Sequence, residues 1–352
     1  MFAYHLKTLS RALRGSVGLA AVGAALLGGS AHAGGLTVLM ADEVAPHTEF
    51  LRQLRDTRDP RDANSRFDVV RISTGGAADV SAAAVEENHG VVAGVRTRGL
   101  RSSTAASPPV VADTSITMAI GPTASRAAIE RPGQEPLLLV MLTRLDYEGL
   151  KSSPSFKRPD RRLGVLLRDP AMADQLALVD ALLPGKRRLG VVATAESEPL
   201  LRELQRAAQG WDLQIEYSPD AKSLGAALRA MLPRNDALMV LPDLIGDSQA
   251  ATLAVLHAGA GAGLPVFGAN EGLVRSGGLA AAVSTPSQLA VQARAMALKL
   301  ASSSPNAGLM IEAATPATVR VNATVARSLN LRVPEERVLT ERVTTDRVTA
   351  VR

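Results

Sequence analysis

The stretch RLGVLLRDPAMADQLALVDALLPGKRRLGVVAT, residues 162–194, carries the reading that decides the fold. It opens on a near-continuous apolar run, residues 162–167, which suits a strand buried on both faces. A helical pattern follows over residues 174–185, with Leu176, Val179, Leu182 and Leu183 on one face. Pro184 and Gly185 stop it. A second apolar run, residues 187–194, completes a strand–helix–strand unit.

The alternation continues downstream. Residues 198–210 read as a helix ending at Gly210, 212–217 as a strand, 221–232 as a helix and 236–242 as a strand. A helix over 247–263 and a strand over 264–268 follow. Upstream, residues 36–40 read as a strand, 43–56 as a helix and 58–66 as a charged loop. Further strands are expected at 67–72, 89–95, 109–113 and 135–143, and the helical signal is weak between 96 and 135. This order predicts an α/β fold of two Rossmann-like units, each a parallel sheet covered by helices on both faces. A polar, proline-bearing stretch, KSSPSFKRPDR (151–161), predicts the seam between them.

One break needs its own reading. In LPVFGANEGLVRSGGLAAAV (264–283), Asn270 and Glu271 stand between Gly268 and Gly272, just beyond a strand end. Ligands in open α/β sheets sit beyond the carboxyl ends of strands. The next run leads into a helix over 285–301, capped by Thr285 or Ser287. The break suits either a chain crossing between two lobes or a plain surface turn.

Composition removes several function classes. Residues 1–14 carry Lys7, Arg11 and Arg14 and no acid; a short apolar run (16–29) and the Ala31–Ala33 triplet follow. That is the pattern of a cleavable secretory signal, so residues 1–33 are expected to be removed and the protein to be periplasmic. No cysteine is present, so the chain is expected to be neither lipidated nor disulfide-stapled. Beyond residue 33 the 39 basic residues fall to 36, against 34 acidic ones, which gives no support to nucleic-acid binding. No later segment approaches a membrane span.

Nothing reads as catalytic. His47, His89 and His257 are isolated from one another, no nucleophile elbow or phosphate loop occurs, and GAGAG (259–263) precedes a strand rather than following one. No enzyme activity, cofactor or metal is expected.

Four segments resemble the ABC-transporter substrate-binding protein family. They are RLGVLLRDPAMADQLALVDALLPGKRRLGVVA, DALMVLPD, PVFGANEGLVRSGGLAAAVSTPSQLAVQARAMALKLA and VRVNATVARSLNLRVPEE. Together they span about residues 162–335, in the family's order and spacing. The match upstream is thinner, and Arg96 enters the turn after Val91–Val95 where the family carries a glycine–threonine pair. The resemblance implies a type 1 periplasmic-binding-protein fold, two lobes closing on a ligand about three chain crossings. The crossings are expected near 150–160, 269–273 and 303–309. Lobe 1 would then be 34–155 plus 272–305, and lobe 2 would be 158–269 plus 308–334.

Binding needs polar groups at strand ends. By position these are Asp42, Thr97, Arg98, Thr143, Thr194, Glu196, Asp243, Asn270 and Glu271. For each, a helix cap or loop residue is the plain alternative. The resemblance implies that a lobe-1 threonine and its neighbours hold a ligand carboxylate, and that Asp243 pairs with a ligand amine or hydroxyl. Beyond residue 33 the aromatic residues are Phe50, Phe67, Tyr147, Phe156, Trp211, Tyr217 and Phe267, too few to favour a sugar over an amino-acid-like ligand.

The implied partner is an ABC permease in the inner membrane. A periplasmic sensor or adaptor of the same fold, acting on a membrane receptor or signalling protein, is the second reading. The tail, ERVLTERVTTDRVTAVR (336–352), repeats a five-residue unit with no constant helical face. It is expected to be disordered over 335–352, or to add a strand to a partner.

Overall fold

The apolar runs pair side by side into two sheets. The computed structural model describes residues 35–57, 66–72, 115–158, 161–268, 270–304, 307–315 and 318–350. Numbered along the chain, the first sheet holds β1 (Leu36–Met40), β2 (Phe67–Arg71), β3 (Ile116–Ile120), β4 (Leu137–Leu142), β5 (Leu163–Pro170) and β11 (Met310–Ala314). Its spatial order is β11-β5-β4-β3-β1-β2, parallel throughout. The second sheet holds β6 (Arg188–Ala193), β7 (Asp212–Tyr217), β8 (Ala237–Val240), β9 (Val266–Gly268), β10 (Ala280–Val283) and β12 (Thr318–Val321). Its order is β12-β10-β9-β8-β6-β7, with β12 antiparallel to β10.

Helices cover both faces of each sheet. On the first, α1 (Ala45–Asp56) buries Phe50 and Leu54, while α10 (Pro286–Ser302) buries Leu289, Ala293 and Met296 on the same side. The opposite face takes α2 (Gly121–Glu130) and α3 (Arg144–Lys151), through Ala128, Ile129, Tyr147 and Leu150. That double cover is why β4, Leu-Leu-Leu-Val-Met-Leu, is apolar at every position and buried at every position. Each fully buried leucine contributes about 1.5–3 kcal/mol.

The second sheet is covered on one face by α4 (Met172–Leu182), α5 (Glu198–Ala207) and α12 (Glu336–Ala350). On the other face lie α6 (Ala221–Met231), α7 (Leu244–Asp247) and α8 (Gln249–Ala262). The short α9 (Glu271–Arg275) follows β9, and α11 (Ala323–Ser328) follows β12.

Strand pairing moves the crossings away from the expected positions. β5 lies between β4 and β11, so the decisive stretch begins in the first sheet and enters the second only at α4. The polar segment at 151–158 is no linker. Its Phe156 is buried, with its ring edge against Tyr147 at 5.8 Å between centroids. At 269–273 the chain does not leave its sheet either, because β10 pairs β9 in parallel. Gly268 and Gly278 there leave room for Leu273, which a Cβ at either position would strike. The sheet changes fall instead after Pro170, between Val283 and Pro286, and between Ala314 and Thr318.

The tail also differs from expectation. Residues 336–350 form α12, in which Leu339 and Val343 are buried against the second sheet. The strands expected at 89–95 and 109–113, and the secretory segment 1–33, lie outside the described residues.

Candidate functional site

Three strand ends converge where the chain changes sheets, and hydrogen bonds lace them together. The Ser284 hydroxyl, on the second crossing, donates to the carbonyl of Arg168, at the first. Gln288 reaches from the start of α10 to the Thr318 hydroxyl at the third, at 2.8 Å. The backbone N–H of Thr315 donates to Gln292 at 2.8 Å. Thr285 begins α10 with a reciprocal capping box to Gln288.

Between the two sheets these crossings floor a cleft of about 260 Å³. Met141, Arg168, Asp169 and Pro170 line it from the first sheet, and Pro242, Asp247, Asn270 and Glu271 from the second. Ser284, Thr285 and Arg320 complete its floor. Met141 takes φ 61°, a left-handed conformation uncommon for a residue with a side chain, where the β4–β5 register shifts. Backbone held in that region is stored strain, which concentrates at ligand sites.

Asp169 is the cleft's most unusual group. Its Oδ2 is buried with no hydrogen-bond partner among the described residues. Its Oδ1 lies 3.7 Å from Arg168 Nε, too far for a hydrogen bond. Burial pushes its carboxyl up to about 6; Arg168 works against that rise, and Asp146, Asp247 and Glu203 add to it.

Of the residues singled out in sequence, Asn270 and Glu271 reach the cleft and are exposed there. Asn270 caps α9 through the Leu273 N–H at 2.8 Å, and Glu271 pairs with Arg275 at 3.2 Å. Thr143 and Thr194 are engaged in caps, with Asp146 and Ser197 respectively. Asp42 is half-buried after β1, its carbonyl 3.4 Å from His47 Nδ1, and Glu196 is exposed after β6. Thr97 and Arg98 lie outside the described residues.

Asp243 is fully buried. It accepts from the Ile245 and Gly246 N–H groups at 2.9 and 3.1 Å and from the Ser197 hydroxyl. Burial pushes its carboxyl up, against those hydrogen bonds. Sequence reading missed Arg168 and Asp169, although they follow an apolar run just as Asp42 does.

Two larger depressions lie elsewhere. One, of about 580 Å³, runs between α3 and α5. Its Arg144, Lys151 and Arg202 are each paired to a glutamate. The other, of about 570 Å³, lies beside Phe156. Among the described residues no helix is long and apolar enough to cross a membrane, and no group of three or more His, Cys, Asp and Glu could hold a metal.

Residues 104–345 match the family model of ABC transporter substrate binding proteins. No curated protein matches the sequence. Among solved structures, the ligand-free, open form of a substrate-binding protein with adhesive properties from Clostridium difficile is similar. Its TM-score is 0.58 at 16% identity, covering 86% of this chain and 96% of that one. An ABC domain from Streptococcus pneumonia in complex with L-Trp is similar at TM-score 0.50 and 15% identity, covering 87% and 97%. These likenesses fix the fold: two α/β lobes of the periplasmic-binding-protein kind.

Proposed function

The chain belongs to the ABC transporter substrate-binding protein family, and on that premise we propose that it is the solute-capturing component of an ABC importer, acting in the periplasm. The observation that carries this is the cleft floored by three laced crossings and lined from both sheets by polar side chains. A solute that touches both walls favours the closed arrangement by its differential affinity for it.

The cleft fits a small polar solute. Its volume of about 260 Å³ is below the usual range for drug-sized ligands. No Phe, Tyr or Trp lines it, so the stacking that serves sugars is missing from the described walls. An amino-acid-like solute fits better, with Asn270 and Glu271 closing on it from the second sheet. The structural relative that holds L-Trp is consistent with that class. The partner is an ABC permease of the inner membrane, which receives the solute from the closed form.

A thermal-shift screen against amino acids, nucleosides, organic acids and sugars tests the reading. A solute at about a hundred times its Kd adds about 2.7 kcal/mol to stability. A shift lost on substituting Asn270 and Glu271 by alanine supports it. No shift with any solute class removes it.

A further inference from the structure

We infer that the carboxyl of Asp169 is the anchor for a positively charged nitrogen of the captured solute, so that the solute is an amine, an ammonium compound or a zwitterion. The inference rests on the solute-capture reading and sharpens it.

Two aspartates stand at the carboxyl ends of strands. Asp243 is fully buried and satisfied, with two backbone N–H groups and the Ser197 hydroxyl on its oxygens. Asp169 lines the cleft, yet its buried Oδ2 has no hydrogen-bond partner among the described residues. A carboxylate oxygen removed from water and left without a donor is costly to the folded chain. A donor from a bound solute would remove that cost.

The surrounding charge states which donor. Among the described residues Arg168 is the cation beside Asp169, and its Nε stands 3.7 Å away. Asp146, Asp247 and Glu203 all press negative charge on the same carboxyl. Of the cleft's two arginines, the other, Arg320, is paired with Glu336 at 3.1 Å. An anionic solute group would add to this field, while an ammonium group would relieve it and offer the carboxyl a donor.

Position adds a mechanical consequence. Asp169 is the last residue but one of β5, and Pro170 ends the strand where the chain leaves the first sheet. The neighbouring Arg168 carbonyl receives the Ser284 hydroxyl from the second crossing. A solute held by Asp169 is therefore held at the pivot itself. Asp247 and Glu271 face it from the opposite wall.

The test measures binding by calorimetry to the full chain and to Asp169→Asn. Probes are the common L-amino acids, each beside its des-amino acid, and putrescine beside the corresponding diol. The expected result is binding confined to the nitrogen-bearing member of a pair. Affinity in Asp169→Asn is expected to fall about a hundredfold or more, as truncating one partner of a buried charge pair does. An unfolding temperature no lower than that of the parent shows that the variant is folded. Binding that survives the substitution, or that does not need the charged nitrogen, overturns the assignment and leaves solute capture standing. No binding by any probe to the parent chain overturns solute capture and the assignment together.

Discussion

Arg144, at the start of α3, and Glu203, in α5, form an ion pair of 2.8 Å that joins a helix of the first sheet to one of the second. Both side chains are largely shielded, 21% and 17% exposed. Glu203 also accepts the backbone N–H of Met172, the first residue of α4, at 3.1 Å. The carboxylate thus joins the first crossing to both lobes. Glu203→Ala should therefore cost more stability than Arg144→Ala. It loses the pair and an α4 N-terminal bond together, about 2–4 kcal/mol against about 1–2. A double-mutant cycle followed by urea unfolding checks this, with a coupling of about 1 kcal/mol expected between the two positions.

Asp169 should make the ligand-free protein less stable as pH rises. Its value is about 6 when folded, above 3.8 for the free side chain, so the folded state holds the proton more tightly. The stabilisation is complete below the unfolded value, and it is lost as pH rises through about 6. At 1.36 kcal/mol per unit the difference is about 3 kcal/mol, and partial solvent access lowers it toward about 2. Asp169→Asn should then raise the unfolding free energy by about 2 kcal/mol near pH 7.5 and change it little near pH 3.5. Thermal unfolding across that range reads both limbs. A bound cation reverses the trend for affinity: it favours the ionised carboxyl, so binding should strengthen as pH rises through about 6.

Asp243 should behave in the opposite way. Removing its carboxyl in Asp243→Ala leaves the Ile245 and Gly246 N–H groups and the buried Ser197 hydroxyl without their acceptor. The expected loss is about 2–4 kcal/mol. Any effect on solute binding should follow from that lost stability and disappear when the variant is measured well below its unfolding temperature. A specific affinity loss in a fully folded Asp243→Ala would place this residue among the ligand contacts.

These two aspartates mark where the sequence was legible and where it was not. The runs at 137–142 and 163–167 announce strands because both faces of their sheet are covered, and every position there is buried. β3, Ile-Thr-Met-Ala-Ile, was missed because small and polar residues dilute its pattern, and β11, Met-Ile-Glu-Ala-Ala, because an edge strand keeps exposed positions. Which sheet a strand joins is not written in its own residues, so the apolar run of β5 was assigned to the wrong lobe and the crossings with it. The strand-end rule points to Asn270 and Glu271, and both line the cleft. The same rule cannot separate Asp169 from Asp243, because the donors that satisfy one and not the other come from distant segments such as Ser197.

The C-terminal helix makes the last prediction, because α12 closes an open sheet edge. β12 is the edge strand of the second sheet, and unpaired edge N–H groups invite pairing with other chains. Here the Val319 N–H donates to the Thr340 hydroxyl at 3.0 Å and the Val321 N–H to Glu336 at 2.8 Å. Leu339 and Val343, four residues apart on the same helical face, are 0% and 1% exposed. The five-residue repeat hides this stripe, since Leu339 falls outside its valine positions. Leu339→Ala should cost about 2–5 kcal/mol, read as a lower urea midpoint at unchanged slope. Arg337→Ala, which breaks an exposed ion pair with Glu341, should cost no more than about 0.5 kcal/mol. Equal, small effects from both would mean that the helix is not docked in solution. Glu336→Ala should leave the Val321 N–H open at the edge and raise self-association, which light scattering detects.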